Sequence, residues 1–360
     1  MSTLRLMTPN CGLRSARWIL FFLAATLSAA NSNAAGVADY VIQISVDGMG
    51  SSYLQLLINE GKLPNFKRLQ DEGAYTHNAR TDFDYTITLP NHTCMVTGRP
   101  VMDKTASPAA IAGHNWTINT DPGDKTIHGS RHDYVSSTFD VAHDNGLRTG
   151  MFPSKNKFVL YDQSYDEKFG APDTVGADNG RDKIDLYVKE GNSAKLMDRF
   201  VEEMKANPFQ YSFVHYHDAD TAGHAKGWGS PAYMDALKSV DGYVGRLLEL
   251  VSSDEKLKGK TAIIISADHG GYGLDHGQNR NPLNYTIPFY VWGPGVAAGK
   301  DLYALNGDTR RDPLSNRPDY VDAGPQPIRN GDGANLALYL LGLGPIPSSL
   351  INASQNLKVH

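Results

Sequence analysis

Three short apolar runs in this chain each end at side chains that bind metals, and this recurrence constrains the fold more than any other feature. The runs are Tyr40–Val46 (YVIQISV), Gln210–His215 (QYSFVH) and Thr261–Ala267 (TAIIISA). Apolar runs of this length, rich in β-branched residues, are typical of buried parallel strands. The side chains that follow are Asp47 after the first run, Asp218, Asp220 and His224 after the second, and Asp268 and His269 after the third. Because ligands collect at the carboxyl ends of parallel strands, we expect one site at that edge of a sheet.

The segments between these runs have helical periodicity. Leu196, Phe200 and Met204 repeat at helical spacing. Ser230 can cap a second helix with Pro231 in its first turn. Strands that alternate with helices indicate βαβ units. The sequence therefore predicts an α/β fold, a single domain with a mainly parallel central sheet flanked by helices on both faces.

The first 35 residues have the order of a secretory signal. Arg5, Arg14 and Arg17 precede an apolar run over residues 18–27, and small residues follow from 28 to 35. The apolar run is about half the roughly 20 residues needed to cross a bilayer. We predict a signal peptide over residues 1–34 and a catalytic domain over 35–360, in the periplasm or secreted, with an uncleaved N-terminal anchor as the alternative. No later run has transmembrane length, so we expect no membrane span in the mature chain.

The charge of the chain argues against a nucleic-acid-binding protein, and its cysteine content argues against a disulfide-stabilised one. Loss of the three leader arginines changes the formal charge from −5 to −8. An acidic chain of this kind argues against a nucleic-acid-binding surface. Cys11 lies in the leader, so Cys94 is alone in the mature chain and no internal disulfide can form.

The segment Thr86–Gly98 (TITLPNHTCMVTG) offers a candidate nucleophile. Pro90 suits the first turn of a helix, which puts Thr88 at a helix N-terminus, where free N–H groups favour anions. A hydroxyl in this position can attack phosphorus if a metal ion activates it. A threonine at this position, taken alone, is more often an ordinary helix-capping residue than a nucleophile.

Six carboxylate and imidazole side chains accompany this threonine: Asp47, Asp220, His224, Asp268, His269 and His276. Such a mixture suits Zn²⁺ and related divalent ions. Asp220 and His224 are four residues apart and can share one ion. Each pair alone is more often a hydrogen-bonded turn, but their joint occurrence at strand ends favours two divalent ions, with zinc preferred.

The motifs together resemble the type I phosphodiesterase/nucleotide pyrophosphatase branch of the alkaline phosphatase superfamily. They are Val46-Asp-Gly48, Thr88-Leu-Pro-Asn-His92, Val96-Thr-Gly98, Gly113-His-Asn115, Asp220-Thr-Ala-Gly-His224 and Ser266-Ala-Asp-His-Gly-Gly271. The resemblance implies an alkaline phosphatase-like fold and a phosphothreonine intermediate on Thr88. It assigns Asp47, Asp268, His269 and the Thr88 oxygen to one ion, and Asp220 and His224 to the other. We choose His276 as the last ligand, because Leu274-Asp-His-Gly277 is similar to the short motif of other superfamily branches.

The same resemblance suggests substrate contacts. Asn115 is similar to the asparagine that donates to a non-bridging phosphoryl oxygen. Lys155 and Lys157 can bind phosphate oxygens, with solvated surface lysines as the alternative. Leu89 stands where nucleotide pyrophosphatases commonly have a base-stacking aromatic residue, which weakens a nucleotide assignment unless Phe158, Tyr161 or Tyr165 stacks instead.

The expected function is hydrolysis of a small-molecule phosphate diester by a two-metal phosphodiesterase or nucleotide pyrophosphatase. A phosphate monoesterase on the same site is the first alternative, supported by Lys155 and Lys157. Phosphonate or sulfate ester hydrolysis is a further alternative, although no Cys-x-Pro-x-Arg sequence is present. A non-catalytic periplasmic protein that binds metal or phosphate is the alternative from another class.

Overall fold

The computed structural model describes residues 1–3, 36–104, 111–173 and 180–360. Apart from its first three residues, the predicted signal peptide lies outside the described residues. The signal peptide therefore remains a prediction. Residues 33–360 form one compact unit. In the described ranges, no helix is both long enough and apolar enough to span a membrane.

The centre of this unit is an eight-stranded sheet. Its strands are β1 (Tyr40–Val46), β2 (Ala74–Arg80), β3 (Thr149–Pro153), β4 (Leu186–Tyr187), β5 (Tyr211–Tyr216), β6 (Thr261–Ser266), β7 (Thr286–Trp292) and β8 (Lys300–Asp301). Their order across the sheet is β4-β3-β5-β1-β6-β7-β2-β8. The three apolar runs of the sequence are therefore the three adjacent central strands β5, β1 and β6.

The register of these central strands brings their carboxyl ends to the same edge. Strand β1 pairs in parallel with both neighbours, Val46 opposite Tyr216 and Ser45 opposite Ser266. The residues that follow the strands, including Asp47 and Asp268, consequently leave the sheet side by side. Strand β7 runs antiparallel to both β6 and β2, so the sheet is mainly, not wholly, parallel.

Helices flank the sheet in two packed groups. The helices are α1 (Ser51–Asn59), α2 (Pro64–Glu72), α3 (Thr88–Thr97), α4 (Ile127–Arg131), α5 (Thr138–Asp144), α6 (Val159–Ser164), α7 (Ser193–Ala206), α8 (Asp218–Lys226), α9 (Pro231–Ser253), α10 (Pro282–Tyr285), α11 (Leu302–Leu305) and α12 (Asp332–Leu340). Helix α9 packs against α1, α2, α7 and α8, whereas α3, α5 and α12 pack against one another. The predicted single α/β domain with a mainly parallel sheet is confirmed.

Local signals explain where two of these helices begin. The Ser230 hydroxyl accepts a hydrogen bond from the Tyr233 N–H at 3.3 Å, and Pro231 occupies the first turn of α9. The Asn192 side chain caps α7 in the same way through the Lys195 N–H. Both helices then bury the apolar face that the sequence predicted, with Leu196, Phe200 and Met204 in the core.

A half-buried histidine on β2, His77, makes the stability of this fold sensitive to acid. Burial lowers the pKa of His77 from 6.5 to about 4. Its Nε2 lies 2.7 Å from the Gln70 amide nitrogen and 3.0 Å from the Tyr290 hydroxyl, two groups that can both donate to a neutral ring.

We expect the free energy of unfolding to fall less in acid for His77→Gln than for the parent protein. In the unfolded chain His77 takes up a proton below pH 6.5, whereas in the folded protein it resists protonation down to about pH 4. The contribution of His77 to folding stability is therefore full above pH 6.5 and is lost as the pH falls from 6.5 towards 4. Between pH 6.5 and about pH 4.5 the variant should lose about 2 kcal/mol less free energy of unfolding than the parent. Urea unfolding at both pH values measures this, and equal losses in parent and variant would contradict it.

Candidate active site

Two clusters of metal-type side chains lie at the carboxyl edge of β1, β5 and β6. The first consists of Asp47, Asp268 and His269, and the second of Asp220, His224 and His276. Within each cluster, one potential ligand atom of every residue lies within 4.8 Å of the others. The structure thus brings together all six residues that the sequence singled out, in the two sets that the family resemblance implied. We call them the Asp47 cluster and the Asp220 cluster.

Backbone carbonyls orient the three imidazoles of these clusters. The Nδ1 atoms of His269, His224 and His276 lie 2.8, 3.0 and 2.6 Å from the carbonyl oxygens of Gly270, Leu274 and Thr86. A carbonyl can only accept, so each Nδ1 carries the proton and each Nε2 presents a lone pair. Metal-ligating histidines are usually held in this tautomer by a hydrogen bond of their other nitrogen.

Several buried polar atoms at the centre of the clusters have no hydrogen-bond partner among the described residues. They are Oδ1 of Asp47, Oδ1 of Asp220, Oδ2 of Asp268 and Nε2 of His269. Buried polar atoms are otherwise almost always paired, so an unpaired set calls for an explanation. All four belong to the clusters, and oxygen and imidazole donors of this kind are suited to divalent cations. The residues present therefore fit a pair of metal ions.

Lys155 links the two clusters. Its Nζ lies 2.7 Å from Asp47 Oδ2 and 2.6 Å from Asp220 Oδ2, so it contacts one carboxylate of each cluster and leaves both Oδ1 atoms free. His215 adds a third contact, with its Nε2 at 3.0 Å from Asp47 Oδ2. Burial by itself would raise the pKa of Asp47, but Lys155 and His215 outweigh it and hold that pKa well below its usual range.

The pKa of Asp268 is shifted in the opposite direction to that of Asp47. Burial and the nearby Asp47 and Asp220 carboxylates raise its pKa well above the usual range. Two backbone N–H groups, of Gly48 at 3.0 Å and His269 at 2.8 Å, donate to its Oδ1 but do not reverse this effect. Three carboxylates are thus concentrated where one ammonium cannot neutralise them all, which is an electrostatic environment that favours added cations.

Thr88 begins helix α3 and is buried beside the Asp47 cluster. His92, one turn further along, donates from Nδ1 to the Thr88 carbonyl at 2.8 Å, and the same nitrogen lies 3.5 Å from Asp268 Oδ2. Asn91 fixes the preceding loop, because its amide donates to the carbonyls of Tyr85 and Ile87. The start of α3 is therefore fixed next to the first cluster, as a nucleophile role for Thr88 requires.

A residue that the sequence analysis did not single out, Asn119, contacts the first turn of α3. The Leu89 N–H donates to Asn119 Oδ1 at 2.9 Å, and Lys157 Nζ donates to the same atom at 3.0 Å. By contrast, the Asn115 amide donates to Asp103 at 3.2 Å. The two asparagines lie four residues apart in one loop, and their spacing alone gave no reason to choose between them.

Four residues that the sequence offered for substrate contact have buried side chains. The Leu89 side chain is fully buried, and its backbone N–H donates to Asn119 Oδ1. Phe158, Tyr161 and Tyr165, the alternatives for stacking on a base, are also fully buried.

We expect His276→Ala to reduce bound zinc from two ions per chain to one. The substitution removes one of three ligands from the Asp220 cluster and leaves the Asp47 cluster intact. His217→Ala is the matched control, because His217 lies beside the same strand end but in neither cluster. Metal analysis after zinc loading and gel filtration measures the content, and two retained ions in His276→Ala would show that the sixth ligand is another residue.

Comparison with known proteins agrees with this geometry. The family described as type I phosphodiesterase / nucleotide pyrophosphatase matches residues 41–288. Among solved structures, murine ectonucleotide pyrophosphatase / phosphodiesterase 5, an inactive variant in complex with AMP, superposes with a TM-score of 0.58 at 14% identity, over 89% of this chain and 99% of that one. The lipoteichoic acid synthase LtaP from Listeria monocytogenes gives 0.57 at 13% identity, over 89% of this chain and 75% of that one. These likenesses show the fold.

Curated relatives carry a different name. GPI ethanolamine phosphate transferase 1 of Mus musculus is 32% identical over 159 residues, which is 41% of this chain and 16% of the relative. The protein of the same name from Aspergillus oryzae is 26% identical over 254 residues, 68% of this chain and 24% of the relative. The chain thus spans about a quarter or less of the length of these relatives.

The family match covers more than half of the chain and includes all six cluster residues and Thr88. Superfamily members of this kind typically depend on two metal ions, and the two clusters are candidate sites for them. The chain belongs to the type I phosphodiesterase / nucleotide pyrophosphatase family.

Proposed function

We propose that this chain is a two-metal phosphodiesterase that hydrolyses small-molecule phosphate diesters through a phosphothreonine intermediate on Thr88. The family and the two ligand clusters support the reaction class. Residues 1–34 support action in the periplasm or outside the cell. Zinc is the preferred metal, because mixed carboxylate and imidazole ligands suit it.

The distribution of positive charge favours a diester over a monoester. A monoester dianion needs more cationic stabilisation than a diester, which carries one negative charge. The Lys155 ammonium already contacts the carboxylates of Asp47 and Asp220. Lys157 contacts the Asn119 side chain and carbonyl instead of a carboxylate, which leaves its charge for substrate. Among the residues that the structure describes, Lys157 is the one ammonium beside α3 that contacts no carboxylate, and this observation carries the diester assignment.

The residues of the chain divide the work as follows. The Asp47 cluster would hold one ion and the Asp220 cluster the other, and two such ions supply Lewis acidity for the attacking and departing oxygens. The Thr88 hydroxyl loses its proton and its oxygen bonds to phosphorus, while the bond to the first ester oxygen breaks and that alcohol leaves with a proton. Water then bonds to phosphorus, the bond to Thr88 breaks, and the threonine regains its proton.

Lys157, held at the first turn of α3, stabilises charge on the non-bridging oxygens. The Leu89 N–H and the Lys157 ammonium both donate to Asn119 Oδ1, and the ammonium also donates to the Asn119 backbone carbonyl. Asn119 thereby fixes the ammonium in place, and its third proton remains to donate to a phosphoryl oxygen. Donors that are fixed before the reaction contribute strongly to catalysis of this kind.

A transferase is a second candidate, favoured by the curated relatives that are named ethanolamine phosphate transferases. The steps to the phosphothreonine are the same in both reactions. They differ in the second acceptor, which is water in a hydrolase and an alcohol in a transferase. The products therefore distinguish the two.

The test uses zinc-loaded enzyme with bis-p-nitrophenyl phosphate, the 5′-p-nitrophenyl ester of TMP and p-nitrophenyl phosphate, with Thr88→Ala as control. We expect kcat/KM on a diester to exceed that on the monoester by about tenfold or more, equivalent to roughly 1.4 kcal/mol. Thr88→Ala should bind two ions and show no turnover above background. Preference for the monoester would contradict the diester assignment, and activity in Thr88→Ala would contradict the nucleophile. Transfer of the substituted phosphoryl group from Thr88 to an added alcohol such as glycerol, in place of water, would identify a transferase.

Asn119 and Asn115 provide a matched pair of variants. We expect Asn119→Ala to lower kcat by roughly 100-fold, the loss typical for one group that supports an oxyanion site. Asn115→Ala should cost much less, because its amide is engaged with Asp103. Steady-state kinetics on the best diester measure both, and a larger loss in Asn115→Ala would restore the role that the sequence suggested for Asn115.

A further inference from the structure

Trp228 lies in the turn between α8 and α9 and connects three segments of the site. Its indole Nε1–H donates to the Gly48 carbonyl at 2.9 Å, directly after Asp47. Its backbone N–H donates to the Gly273 carbonyl at 2.8 Å, in the loop that leads to His276. The residue is 7% exposed, so the indole is almost completely enclosed by these segments.

The indole also contacts both histidines of the Asp220 cluster. Its ring centre lies 5.1 Å from that of His224 and 5.8 Å from that of His276, and both contacts are edge-on. The two imidazoles in turn bring their Nε2 atoms to 3.3 and 3.7 Å from Asp220 Oδ1. The position of the ring therefore limits where both imidazoles can lie.

Two glycines of the sequence motifs make room for this ring. A Cβ atom on Gly223, the residue before His224, would lie 2.6 Å from two carbon atoms of the indole. A Cβ atom on Gly271 would overlap the same ring even more closely. The glycines in Asp220-Thr-Ala-Gly-His224 and Asp268-His-Gly-Gly271 are thus required here because the indole packs directly on their backbones.

We propose that Trp228 is a positioning residue for the second metal ion. The indole fixes the end of α8 against the 271–276 loop, so that His224 and His276 converge on Asp220. Both ring contacts go to histidines of the Asp220 cluster, whereas the indole reaches the Asp47 cluster only through the Gly48 carbonyl, so the larger effect falls on the second ion. The inference rests on the metal binding proposed above and does not depend on which phosphate ester is the substrate.

The test is a stepwise titration with zinc in competition with a chromophoric chelator. Trp228→Leu should weaken the binding of one zinc ion by roughly 10- to 100-fold, the usual cost of losing a group that supports metal ligands. The other ion should lose much less affinity, because only the hydrogen bond to the Gly48 carbonyl connects the indole to its ligands. Trp228→Phe, which keeps a ring but loses the Nε1–H, should weaken the same ion by less. Trp292→Leu is the control: Trp292 ends β7, its indole donates to Glu72 at the end of α2, and it belongs to neither cluster, so both affinities should be unchanged.

A second substitution separates positioning from a general loss of structure. Gly223→Ala alone should weaken the same ion, because the added methyl group collides with the indole. In the Trp228→Leu background the collision is gone, and Gly223→Ala should have little further effect. In the His276→Ala background, Trp228→Leu should weaken the one remaining ion much less.

Two results would overturn the inference: equal weakening of both ions in Trp228→Leu, or the same effect of Gly223→Ala in both backgrounds. Near-UV circular dichroism of each variant identifies any that fail to fold, and Trp228→Phe then carries the test. A protein that binds two zinc ions but hydrolyses no phosphate ester would contradict the proposed function and leave the role of Trp228 intact.

Discussion

Three aspartates are buried within one small volume at the edge of the sheet, and the arrangement of the site depends on how their charge is balanced. Asp47, Asp220 and Asp268 follow or lie near the ends of adjacent strands, so the sheet itself brings the like charges together. Burial penalises each carboxylate, and each also raises the cost of ionising its neighbours. Lys155 offsets part of this, which is visible in the lowered pKa of Asp47, but the pKa of Asp268 stays raised. The remaining imbalance and the unpaired ligand atoms together make this edge a candidate cation site.

Residues around the two clusters hold the ligand side chains and the start of α3 in position. Backbone carbonyls hold the imidazoles in the tautomer that presents Nε2. His92 and Asn91 anchor the start of α3 beside the Asp47 cluster, and Trp228 packs against the histidines of the other. Asn330 extends this support from the C-terminal part of the chain, since its amide contacts Asn91 Oδ1 at 3.0 Å. Residues far apart in sequence therefore determine the geometry of a few ligand atoms.

Local signals in the sequence were sufficient to predict the fold class and five of the six clustered residues, whereas His276 was chosen from the family resemblance. An apolar run that stops at an aspartate indicates a buried strand with a functional end, and parallel pairing brings such ends together. The roles of single polar side chains depend on long-range contacts that no local pattern encodes. Asn119 rather than Asn115 reaches α3, and Lys155 contacts two carboxylates of the clusters.

Antiparallel β7 and the role of Trp228 show the same limit. The direction of β7 is set by its pairing with β6 and β2, and its composition is compatible with either direction. A tryptophan in a turn is unremarkable until its ring is found on Gly223 and Gly271. In both cases the information lies in contacts between segments that are distant in the chain.

The central claim is that the two clusters hold a pair of metal ions, and anomalous diffraction from zinc-loaded crystals tests it most directly. We predict two peaks at the zinc absorption edge about 4 Å apart, the usual separation in two-metal sites. One should lie among Asp47, Asp268 and His269, and the other among Asp220, His224 and His276. A single peak, or peaks away from both clusters, would contradict the account.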